Sequence, residues 1–165
     1  MTTAVRLVLA AGAISSVLSA APVAAEDLGY RVHTKTGTYA NVRDDLKDAI
    51  VNRGFVIDYV GQFNAMLERT AEAVGRDAGG GTPSPYLNAE YMQFCPSKLT
   101  HEGVSASPHS IANCPVALFV YELRAEPQKI VVGYRLPIGT PSKRVKEVNA
   151  KLSTLLESIA KEATK

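Results

Sequence analysis

Apolar and polar positions change their period repeatedly along the chain, and each change marks an element. In residues 28–35, Leu28, Tyr30 and Val32 alternate with Arg31 and His33, the period-two spacing of a half-buried strand. That spacing places His33 on the solvent face. A turn at Thr36-Gly37-Thr38 leads to Val42, Leu46, Ala49 and Ile50 on one helical stripe, with Thr38 or Asn41 as N-cap and Gly54 as the stop. Alternation returns over residues 55–63, with Phe55, Ile57 and Tyr59 on one side and Val56, Asp58 and Val60 on the other. A second helix, capped by Asn64, follows with Met66, Leu67, Thr70, Ala71 and Val74 inward and ends at Gly75.

Residues 77–85, DAGGGTPSP, have no apolar anchor and read as a connection. A third strand covers 87–95, and Pro96 opens a short helix over 97–104. A polar connection broken by Pro108 precedes residues 116–123, VALFVYEL, whose apolar residues occupy both faces as in a buried central strand. Ala125-Glu126-Pro127 turns the chain into an antiparallel return over 129–136. Thr140-Pro141 then starts a closing helix with Val145, Val148, Leu152, Leu155 and Ile159 on its inner face. The order β-α-β-α-β-α-β-β-α predicts an α+β fold: a single-domain two-layer sandwich with helices packed on a mixed or antiparallel sheet.

The N-terminus changes the domain boundaries. Arg6, the apolar run 7–18 and Val23-Ala24-Ala25 have the three-part pattern of a secretory signal peptide. Residues 1–25 are therefore expected to be removed, leaving one domain over 26–165 and a periplasmic or secreted protein. Removal takes one of the 18 basic residues and none of the 16 acidic ones, so the remaining charge is +1. Such a balance gives no support to a nucleic-acid partner. No later apolar run has the length of a membrane span.

The candidate chemistry gathers in residues 92–123. Both cysteines lie there, each followed by proline, as do His101 and His109. In an exported chain a pair of cysteines raises a disulfide. Cys95 ends one strand and Cys114 precedes another, so a bridge, a reactive thiol pair and two buried thiols all remain open. The spacing is not Cys-x-x-Cys, so a thioredoxin-type dithiol is not indicated. Cys-x5-His is not a zinc-finger spacing, and the attachment motif of covalent haem is absent. Met92 is a soft potential ligand placed where core packing is the commoner use. The glycine-rich stretch lacks both phosphate-loop spacings, and no Gly-x-Ser-x-Gly element is present. Nothing singles out Asp58 or Glu90 as an acid or base.

At the cysteines the chain resembles the domain of unknown function 302 family, whose fold is called TT1751-like. The resemblance is carried by Phe94-Cys95-Pro96, Lys98-Leu99-Thr100, Cys114-Pro115 and Phe119-Val120-Tyr121-Glu122. Leu136-Pro137, the closing helix and the Arg53-Gly54-Phe55 step add to it. The second proline follows its cysteine here where the family has it before. The resemblance implies the fold and a cysteine-centred site, and no activity.

Three functional expectations follow. The first is an exported small-ligand-binding or accessory module, not an enzyme, with its site near the two Cys-Pro elements. The second is a thiol-based redox or sulfur-handling protein using Cys95 and Cys114. The third is a metal- or haem-binding protein drawing on Cys95, His101, His109 and Cys114. Ligand and cofactor are unassigned, and a homodimer is left open.

Overall fold

The computed structural model describes residues 28–74, 84–139 and 142–165. The expected signal peptide, most of the glycine-rich connection and Thr140-Pro141 lie outside the described residues. Within them run strands β1 (Tyr30–Thr36), β2 (Tyr59–Gln62), β3 (Tyr86–Phe94), β4 (Val116–Leu123) and β5 (Glu126–Arg135). The helices are α1 (Tyr39–Val51), α2 (Phe63–Val74), α3 (Ser97–Ala106) and α4 (Lys143–Ala163). They follow the expected order, with a 3-10 turn at Pro108–Asn113 inside the connection read as irregular. The sheet order is β1-β5-β4-β3-β2, every neighbouring pair antiparallel. This is the α+β sandwich expected.

One face of the sheet makes the core. Met92 and Phe94 of β3, Val116, Leu118 and Val120 of β4, and Ile130, Val132 and Tyr134 of β5 all point to it. Against them α1 sets Val42, Leu46, Ala49 and Ile50, the stripe expected from the spacing. The Thr38 hydroxyl accepts from the Asn41 amide at 3.4 Å and caps this helix. Gly54, at φ +80, lets the chain leave it. Beside α1, α4 buries Val145, Val148, Leu152, Leu156 and Ile159, with Ala160 and Ala163 allowing close approach. The stripe passes through Leu156, not through Leu155 as expected, and Leu155 packs at its margin.

Further expectations are corrected. Only Tyr59–Gln62 of the second apolar run pairs as a strand. Phe55 instead stacks on Phe94 at 5.1 Å and closes the end of the core, while Phe63 begins α2. Asn64 does not cap that helix: its side-chain amide donates to the Leu87 carbonyl at 3.1 Å. Met66 and Thr70, expected inward, are exposed, because α2 lies along the β2–β3 edge of the sheet.

Another correction inverts β1. Leu28, Tyr30 and Val32 are 58%, 43% and 44% exposed, whereas His33 turns towards α4. There His33 Nε2 lies 3.0 Å from Glu157 Oε2, and the Tyr134 hydroxyl donates to the same oxygen at 2.8 Å. Lys161 reaches the other carboxylate oxygen at 3.1 Å. Alternation gave the two faces of this edge strand correctly but not which one the helices cover. Burial alone would raise the Glu157 ionisation, but His33, Tyr134 and Lys161 outweigh it and hold the group at about 2. A depressed carboxylate stabilises the fold above its ordinary range and loses that contribution as pH falls through its folded value. Urea unfolding should therefore show stability draining away between pH 4.5 and about 2. Glu157→Gln should flatten that limb; an unchanged limb would place the acid sensitivity elsewhere.

Candidate functional site

Phe94 pairs with Val116 at the end of the β3–β4 ladder. Just beyond that pair lie Cys95, one residue outward on β3, and Cys114, which precedes Val116 by two residues across the cis-linked Pro115. Their Cα atoms are 5.8 Å apart and the sulfurs are bonded, within the ordinary span of a disulfide. The bridge closes α3 and the 3-10 turn into one loop that leans on α4. Asn113 ties the far side, donating to the Ile138 carbonyl at 2.7 Å and accepting from the Ile138 amide at 2.8 Å. His101 and His109 are exposed on this loop. Among the described residues no group of three or more His, Cys, Asp or Glu side chains is placed to hold a metal ion. The void beside Cys114, between Leu99, Gly103, Ser110 and Leu152, is about 20 Å³. That is room for about one water and no ligand.

A much larger space lies on the other face of the sheet. α1 and α4 leave that face uncovered, and a groove of about 1030 Å³ runs across it. Its floor is set by strand alternation. Phe119 and Tyr121 of β4 point outward between the buried Leu118, Val120 and Glu122. Tyr91 and Ala89 of β3 lie beside them in register. A Cβ on Gly133 would overlap the Phe119 ring, and one on Gly61 the Tyr91 ring. Both glycines thus let an aromatic ring lie flat on the neighbouring strand. Tyr86 meets Tyr121 edge-on at 5.4 Å, and Phe63 of α2 meets Tyr86 at 5.6 Å. Phe119 and Tyr121 are nearly parallel, with centroids 6.2 Å apart. α2 forms one wall with Phe63 and Met66, and Leu136, Pro137 and Ile138 form a rim at the other side. Burial first, then the neighbouring Tyr86 and Tyr30, raises the Tyr121 hydroxyl, which stays a neutral hydrogen-bonding group.

The sequence reading missed this surface because aromatic residues at alternate positions of residues 116–123 were read as a strand buried twice over. The available signal was the helix count. Only two stripes, those of α1 and α4, are broad enough to cover a five-stranded sheet, and both cover the same face.

The helix-covered face also holds carboxylates. Glu122 is 6% exposed and fully engaged, accepting from the Asn88 side chain and the Gln128 amide, each at 2.8 Å. The Tyr39 hydroxyl is buried beside Glu90 without a hydrogen bond of acceptable geometry. Burial first, and Glu90 next, push its ionisation above the ordinary phenol range. The Glu122 contacts tie β3, β4 and the start of β5 together at the hairpin end of the sheet.

No protein-family model matches the chain, and no curated protein matches it. Its fold is similar to that of an uncharacterized conserved DUF302 protein from Bacillus stearothermophilus, known from a crystal structure. The TM-score is 0.67 at 12% identity, covering 82% of this chain and 98% of that one. The likeness shows a DUF302-like fold. No helix among the described residues is long and apolar enough to cross a membrane.

Proposed function

We propose that this chain is an exported, non-catalytic module that binds a small molecule with a largely apolar body in the groove on the open face of its sheet. The observation that carries the reading is the groove itself. Its size lies at the upper end of the roughly 300–1,000 Å³ typical of ligand sites. Its lining is aromatic and aliphatic with few polar groups, the composition such sites share. The reading keeps the first expectation and moves its place. The Cys-Pro elements adjoin the end of the groove, through Gln93 and Ala117, and their disulfide acts as a staple rather than as the binding chemistry. Export is supported by the N-terminal pattern and by the cysteine pairing, which suits an oxidising compartment.

The neutral dye Nile red tests the groove without presuming a head group. Its emission should rise on the folded protein with saturable, micromolar binding. Tyr121→Ala, which removes the centre of the aromatic floor, should weaken that binding about tenfold, the scale of one lost aromatic contact with its buried area. Undiminished binding by a folded Tyr121→Ala protein would sink the reading. A second copy covering the same face is the competing occupant. Sedimentation velocity showing a wild-type dimer that Tyr121→Ala dissociates would assign the face to self-association.

A further inference from the structure

We propose that the ligand of this groove carries a carboxylate, received between Arg135 and Gln93 above Ala117. This rests on the groove being a ligand site and goes on to name the ligand's chemistry.

Antiparallel register lines up one row across the sheet at the cysteine end. Tyr30 pairs with Arg135, and Gln93 pairs with both Ala117 and Tyr59. One step beyond the Leu118–Tyr134 pair brings Ala117 alongside Arg135. The row therefore reads Tyr30, Arg135, Ala117, Gln93, Tyr59, all on the open face. The neighbouring row carries Phe119 and Tyr91, so the polar side chains stand at one end of an apolar floor. Ala117 is the gap. Arg135 and Gln93 flank it on the two adjacent strands, and neighbouring strands lie about 4.8 Å apart. Both side chains are long enough to reach a group seated over Ala117.

Charge selects that group. Of the residues lining the groove, Arg135 and Glu90 are the two charged ones. Glu90 pairs with Val120, whose side chain is in the helix-covered core, so alternation turns the Glu90 carboxylate to that other face. Lys129, further along β5, is paired with Glu126 at 3.0 Å. Arg135 has no ion pair among the described residues. Arg135 is exposed to solvent. An apolar ligand lying beside it would shield it from solvent, and a covered cation without a counter-charge is costly. A ligand that brings a carboxylate removes the penalty: the guanidinium fork matches two carboxylate oxygens, and the Gln93 amide adds a donor. The implied class is an amphipathic carboxylic acid whose apolar body lies along Phe119, Tyr121 and Tyr86.

Displacement of Nile red by dodecanoate, methyl dodecanoate and dodecyl phosphate at pH 8 separates the possibilities. Dodecanoate should displace the dye at least about tenfold more effectively than its methyl ester, the scale of a charge-assisted hydrogen bond. Arg135→Gln should abolish that preference, read as the ratio of acid to ester displacement on the same variant. Ala117→Leu, which fills the seat, should lower dodecanoate binding more than that of the methyl ester. Nile red failing to bind at all defeats the groove reading itself. Nile red binding with ester and acid equal, or with the preference surviving Arg135→Gln, overturns the carboxylate. Dodecyl phosphate displacing the dye tenfold better than dodecanoate would also overturn it.

Discussion

Leu156→Ala should lower the unfolding free energy by about 2–5 kcal/mol, the range for emptying a fully buried leucine site. Leu156 is 1% exposed and belongs to the same core cluster as Leu152, Ile159 and the inward side chains of β5, the strand on which α4 packs. α4 cannot collapse readily into the space, because Ala160 and Ala163 already hold its lower half close to its neighbours. Leu155, one residue earlier, lies at the margin of the same cluster and should cost distinctly less. Urea unfolding of the two single variants reads the difference directly, with the midpoint moving and the slope unchanged. A larger loss for Leu155→Ala would mean that α4 is rotated by about 100° per residue from this packing. The same measurement therefore checks the helix register on which the core, and the open opposite face, depend.

How far the chain could be read beforehand depended on whether a residue's neighbours were local. Helical stripes are, and α1 was legible to the residue: Val42, Leu46, Ala49 and Ile50. α4 was legible to within one position, since Leu155 and Leu156 both fit a period of 3.6 and only the approach of the sheet chooses between them. The adjacency of Cys95 and Cys114 was legible because both flank strands that turned out to be neighbours. For β1, alternation separates the two faces of a strand but carries no label for inside. Val32 looks like core and lies on the open face, while His33 looks like surface and is held by Glu157. The groove was hidden for the same reason. Phe119 and Tyr121 are apolar enough to be buried, and only the two-layer arrangement, with helices on one side, leaves them uncovered.

Removing the disulfide, by Cys95→Ser with Cys114→Ser, should cost roughly 3 kcal/mol on the chain-entropy scale for a loop of this length, and the loss should be felt unevenly. The bridge lies at the end of the β3–β4 ladder, outside the Phe94–Val116 pair, so the central strands keep their own register and core contacts. The looped segment has less to hold it. Its ties to the body are Leu99 against the core, Glu102 to Lys151 at 2.7 Å, and Asn113 to Ile138 and Asn149. The ion pair is partly exposed, and such pairs contribute about 0–1 kcal/mol. Amide exchange should accordingly accelerate over residues 98–113 by more than tenfold relative to β4 and α4, because local opening there no longer has to break a covalent link. Exchange rising equally in α4 would show that the bridge holds the whole domain together. Unchanged exchange in the loop would show that Asn113 and Leu99 suffice without it. Between these limits, selective loosening is the expected result, since the sheet end is fixed by backbone pairing and the loop by one covalent bond and a few side chains.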